Sequence, residues 1–239
     1  MILEEIYHLT AEFTAKQQKS KRKEIGQFFS SIETARYMAS EIHFSGGKIS
    51  ILDPGAGNGI LGAAAIEALL NQNTIQHISV TFIENDECIL PLLTQSIKIL
   101  SEACKNAKVE FEYSLLNDNY IFFDFEPSSF DLVIMNPPYK KIRKGCAEAL
   151  FMEAYVHGQP NLYSLFMSKS LSLLKPQGQY VYIVPRSWTS GEYYVLTRKD
   201  LRWRSNIEHI HIFKSRSNAF KGQNVLQEPM KIGRASCRE

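Results

Sequence analysis

Apolar positions recur at helical spacing through "MILEEIYHLTAEF" and on to residue 18, where a basic run, "KSKRK" at 19–23, breaks the period. After "EIGQFFSS", the segment "IETARYMASEI" predicts a short amphipathic helix. From Lys48 the pattern changes, and short apolar runs alternate with helical stretches. "KISILD", "ISVTFIEND", "KVEFEYS", "FDLVIMN", "GQYVYIVP" and "NIEHIHIF" predict strands. "GILGAAAIEALL", "CILPLLTQSIKILSEA" and "NLYSLFMSKSLSLL" predict helices among them. Strands separated by helices imply right-handed βαβ units, hence an α/β fold with a doubly wound, mainly parallel sheet. No internal repeat or low-complexity segment interrupts it.

Composition adds little beyond setting limits. The 239 residues, 44% hydrophobic and 22% charged, suit one large α/β domain. No apolar stretch reaches the ~20 residues that span a bilayer, and the acidic N-terminus lacks a signal peptide's basic start and apolar core. Cys88, Cys104, Cys146 and Cys237 are far apart with no CxxC pair, which points to free thiols in a reducing cytosol and away from a metal site. The net charge of +2 is uneven: residues 198–239 hold ten Lys/Arg against four Asp/Glu, leaving the remainder at −4. A basic face of that kind suits a phosphate backbone, and it equally suits a solvated surface.

Two stretches carry chemistry. "ILDPGAGNGILG" (51–62) joins the first strand to its helix, and glycines at 55, 57 and 59 allow a tight turn lying against a ligand. Gly57, Gly59 and Gly62 also satisfy the dinucleotide pattern GxGxxG, a weak signal alone. The helix that follows has no Lys to grip phosphates, which disfavours a nucleoside triphosphate. Asp53, at the strand end, is placed to receive a cationic amine, and Glu84, ending the next strand, to chelate ribose hydroxyls. The second stretch is Asn136-Pro137-Pro138-Tyr139, which ends the strand "FDLVIM". The prolines stiffen the corner and remove two donors. The Asn136 side-chain oxygen and the Pro137 carbonyl then offer two acceptors for an amino group, and Tyr139 a flat face for an extruded base.

The ordered set "GQFFSS" (26–31), "LDPGAGNG" (52–59), "FIEND" (82–86) and "NPPY" (136–139) resembles the S-adenosylmethionine-dependent DNA adenine-N6 methyltransferases. Its order resembles the gamma arrangement found in restriction-modification enzymes, and the likeness runs from about Lys23 to Gln227. It implies a Rossmann-like methyltransferase sheet, S-adenosylmethionine as cofactor, DNA as partner, and no membrane or metal. Within it, Phe28, Ser30 and Ser31 close over the methionine end of the cofactor, with the serines where the family usually has Thr-Pro. Asp53, Gly55, Gly57 and Gly59 hold the methionine moiety, Glu84 the ribose, and Asp118 the cofactor adenine, with Asp124 as its rival. Asn136, Pro137, Pro138 and Tyr139 hold the target adenine. Lys140, Lys141, Arg143 and Lys144 then contact flanking phosphates, and Pro185 and Trp188 border the base pocket, Trp188 serving equally well as core. The same two acceptors also suit a protein glutamine or an RNA adenine, and a fragment without catalysis remains a third reading.

The expected organisation is an N-terminal helical segment with the cofactor-closing motif (1–47), a catalytic domain (48–230) and a non-native tail (231–239). "KIGRASCRE" has no apolar period and can be encoded by a common adapter sequence read in frame. The expectation is therefore a truncated gene, a sheet incomplete at its seventh strand, and a missing target-recognition domain.

Overall fold

The computed structural model describes residues 1–16, 29–212 and 229–237. Seven strands form one sheet: β1 (Lys48–Pro54), β2 (His77–Ile83), β3 (Glu110–Leu116), β4 (Phe130–Met135), β5 (Leu174–Pro185), β6 (Ser205–Ile212) and β7 (Pro229–Cys237). Their order is β3-β2-β1-β4-β5-β7-β6. The first five strands pair in parallel, and β7 runs antiparallel to both β5 and β6. The crossovers reverse direction between β1 and β4, and such a switch point opens a crevice at the carboxyl ends of the strands.

The apolar runs of β1, β4 and the end of β5 are nearly continuous because both faces of the sheet are covered there. Successive side chains point to opposite faces, so Ile51, Leu132, Ile134 and Val181 enter one core while Leu52, Val133, Met135 and Tyr182 enter the other. Helices α1 (Ile2–Lys16), α2 (Ile32–Ala39), α3 (Ile60–Asn71) and α4 (Leu90–Asn106) cover the first face. Helices α6 (Leu162–Leu173) and α7 (Val195–Arg204) cover the second, and the short α5 (Ala147–Phe151) lies before α6 in the chain. The helical period at the N-terminus is described as far as Lys16, and the basic run at 19–23 lies outside the described residues. The polar segment "VLTRKDLRWR" of α7 buries only Thr197 and Leu201, too few positions for periodicity to show. Among the described residues, no helix is long and apolar enough to cross a membrane.

One expectation needs correcting. The sheet anticipated to lack most of its seventh strand has one, and residues 231–237, anticipated as a tail outside the domain, form most of it. Pro229 pairs with Pro185 and Ser236 with Gln179, with a register break opposite Val181. The physical reason is that ladder bonds belong to the backbone. A segment without apolar alternation still fills a slot between two strands if its N–H and C=O groups meet theirs.

Candidate active site

The loop leaving β1 turns on three left-handed glycines, with φ of +71° at Gly55, +58° at Gly57 and +77° at Gly59. A Cβ on Gly59 would stand 2.8 Å from Leu93 Cδ1, so both sterics and backbone sign demand glycine there. Asn58, between the last two, is buried. Its Oδ1 accepts from Ile60 N at 3.2 Å and its Nδ2 donates to Thr10 Oγ1 at 2.8 Å.

Two carboxyl groups lie by this turn. Asp53 is 1% exposed, and its Oδ2 accepts the Gly62 N–H at 3.0 Å. Burial pushes its pKa up to about 8; the Gly62 bond opposes this and the nearby Glu84 adds to it. Glu84 follows β2, and its two oxygens accept from Gly57 N at 2.8 Å and Asp86 N at 2.9 Å. Burial raises its pKa as well, against the pull of the Asp86 and Gly57 N–H groups. Beyond these N–H groups the Glu84 carboxylate keeps lone-pair capacity for a hydroxyl donor.

At the end of β4, Asn136 is held from both sides. The Tyr139 hydroxyl donates to Asn136 Oδ1 at 2.9 Å and lies 3.0 Å from the Ile183 carbonyl, while Asn136 Nδ2 donates to Ser30 Oγ at 3.3 Å. The Tyr139 ring meets the Tyr163 ring edge-on at 6.2 Å. Burial lifts the Tyr139 phenol far above its ordinary range, so it acts as a neutral hydroxyl. Tyr139, proposed from sequence only as a stacking face, therefore also carries a hydrogen bond that orients Asn136.

A cleft of about 280 Å³ joins these parts. Gly55, Gly57, Glu84 and Asp118 line it together with Asn136, Pro137, Pro138 and Tyr139, with Phe29 and Phe166 also in its wall. Against that geometry, residues 61–220 match the family described as Eco57I restriction-modification methylase. The chain belongs to that family. It is 32% identical over 218 residues to the Type II methyltransferase M.BsuBI of Bacillus subtilis, which covers 87% of this chain and 43% of that protein. It is 33% identical over 215 residues to the Type II methyltransferase M.PstI of Providencia stuartii, covering 87% and 42%. The chain thus spans less than half the length of these relatives. In fold it is similar to the type I restriction-modification methyltransferase subunit from Streptococcus thermophilus, with a TM-score of 0.64 at 15% identity over 89% of this chain and 45% of that one.

In this member of the family not every residue singled out by sequence reaches the cleft. Asp118 lines it, and its Oδ1 accepts from Asn119 N at 2.6 Å. Asp124 does not; it lies within the electrostatic reach of Lys169, whose ammonium donates to the Ile121 and Phe123 carbonyls. Asp53 and Gly59 do not line the cleft; Asp53 instead accepts the Gly62 N–H at the start of the helix that follows. Ser31 caps α2, accepting from Thr34 N at 3.2 Å, and Ser30 meets the site through Asn136. Phe28 lies outside the described residues. Trp188 is 4% exposed in the second core, the plainer of its two readings. Lys140 lines the cleft, and Lys141, Arg143 and Lys144 are exposed in the loop after it.

Sequence reasoning missed Asn85, Asn119, Glu148 and Phe166, all in the wall. Asn119 Nδ2 donates to Glu148 Oε1 at 3.3 Å, joining the loop after β3 to α5. Asn85 stood inside the quoted "FIEND" and carried a signal that went unused. Phe166 sits in an apolar helical run, where a wall residue and a core residue look alike.

Proposed function

We propose that this chain carries the catalytic machinery of a DNA methyltransferase that moves a methyl group from S-adenosylmethionine to N6 of an extruded adenine. The observation that carries the reading is the shared cleft. A glycine turn with a ribose-type carboxylate, Glu84, opens into the same space as Asn136-Pro137-Pro138-Tyr139. Family membership and relatives named as Type II methyltransferases support it.

The residues present fit the cofactor. Positive φ at Gly55 and Gly57 brings bare backbone to the cleft, Glu84 keeps acceptor capacity for ribose hydroxyls, and Asp118, in the same wall, offers an acceptor for the adenine amine. Bound there, the cofactor supplies an electrophilic sulfonium methyl. The chain's own part is orientation. Asn136 Oδ1 accepts from Tyr139, and an amide oxygen has two lone pairs, so the same atom serves the target NH₂ while Pro137 C=O supplies the second acceptor. Two such bonds favour a more tetrahedral nitrogen, whose freed lone pair points along the line of transfer. Positioning of this kind is worth up to ~7–11 kcal/mol of barrier. The proton leaves late, once alkylation has made the nitrogen acidic, so no strong base is required. The exposed lysines and arginine at 140–144 serve flanking phosphates.

The test is methyl transfer from labelled S-adenosylmethionine to DNA, RNA and protein pools. DNA labelling as N6-methyladenine is expected. Asn136→Ala is expected to abolish it while leaving S-adenosylhomocysteine binding intact, and normal turnover by that variant would sink the assignment. Labelling of RNA or protein instead would move the substrate to the rival carboxamide or RNA reading.

A further inference from the structure

The glycine turn is tied to α1 through side chains that neither the cofactor contacts nor the base contacts use. Asn58 is 2% exposed and Thr10 7%. Hydrogen bonds run in one sense through them: Ile60 N to Asn58 Oδ1, Asn58 Nδ2 to Thr10 Oγ1 at 2.8 Å, and the Thr10 hydroxyl to the Ile6 carbonyl at 2.7 Å. The threonine proton is directed at its own helix, so its oxygen faces Asn58 as an acceptor. Asn58 is flanked by two left-handed glycines, a stretch with little conformational preference of its own. The preceding residue, Gly57, donates its N–H to Glu84 Oε2 at 2.8 Å. Whatever fixes Asn58 therefore fixes the backbone that holds the Glu84 carboxylate.

We propose that Thr10 is a positioning residue for the cofactor turn, so that α1, well separated in sequence from the motifs, sets the affinity for the nucleoside end of S-adenosylmethionine. The inference rests on the cofactor reading above and adds a residue to it. Valine has nearly the shape of threonine, so Thr10→Val retains the packing and deletes the acceptor. Asn58 Nδ2 is then a buried donor with nothing to meet, and the turn relaxes to find water or another partner.

Calorimetric titration of the 239-residue chain with S-adenosylhomocysteine tests this, with thermal unfolding of each ligand-free variant run alongside. Thr10→Val is expected to weaken binding about tenfold, and Thr10→Ser to stay within about twofold of the original chain, because it restores the acceptor. Unchanged affinity in Thr10→Val, or an equal loss in Thr10→Ser, overturns the proposal while the cofactor reading stands. Absence of binding by the original chain overturns the cofactor reading and takes this inference with it. If Thr10→Val does not fold, hydrogen exchange on the unmodified chain decides. Ligand is expected to slow exchange in α1 around Thr10 as well as in the turn, and an α1 indifferent to ligand overturns the proposal.

Discussion

The substitution Asp53→Asn is expected to change how stability depends on pH. Asp53 is 1% exposed, has the single N–H of Gly62 on Oδ2, and feels the negative charge of Glu84. Burial accordingly raises its pKa from 3.8 to about 8. The sign follows from proton counting: between those values the folded chain holds a proton that the unfolded chain has released. The contribution of Asp53 to stability is therefore greatest below about pH 4, declines as pH rises, and stops declining above about pH 8. A full unit in that window is worth about 1.4 kcal/mol, so from pH 6 to pH 8 the loss is at most about 2.5 kcal/mol once the approach to the pKa is allowed for. The amide that replaces the carboxyl carries no charge at any pH and keeps an acceptor for Gly62. Urea unfolding of both chains at pH 5, 6, 7, 8 and 9, followed by far-UV circular dichroism, measures the difference. The variant is expected to gain about 2 kcal/mol relative to the original chain between pH 6 and pH 8. Glu84 titrates in both chains and largely cancels. Parallel pH profiles would show that Asp53 ionises as an ordinary carboxyl and would refute the reasoning.

Asp118→Ala is expected to weaken S-adenosylhomocysteine binding about tenfold while Asp124→Ala leaves it unchanged, since only the first lines the cleft; calorimetry of the two variants decides. Gly59→Ala places a Cβ at φ +77° and 2.8 Å from Leu93 Cδ1, and is expected to cost about 2–4 kcal/mol of stability in urea unfolding.

The parallel half of the sheet was readable because burial on both faces turns β1, β4 and β5 into apolar runs, while β2 alternates buried and half-buried positions, with helical spacing between them. The site motifs were readable because glycine and proline act on the backbone locally. What escaped depends on contacts distant in sequence. The hydroxyl of Tyr139 lies against the Ile183 carbonyl of β5 as well as Asn136, a contact 44 residues apart in the chain. Asn58 carried no signal in the sequence, because its partner Thr10 is brought to it from α1. Asp118 and Asp124 are equivalent in composition, and the path of the chain after β3 separates them. The seventh strand was illegible because its place is dictated by the open edges of two neighbours rather than by its own pattern.

That seventh strand also orders events during synthesis. β7 leaves the ribosome after β6 yet lies between β6 and β5. Until residues 229–237 emerge, β5 presents an unfilled edge of up to twelve residues at the centre of the future sheet, and β6 has nothing to pair with. The nascent parallel half is then a template for any extended segment nearby, another copy of itself included. The pace at which residues 229–237 are delivered thus sets how long that edge stays open.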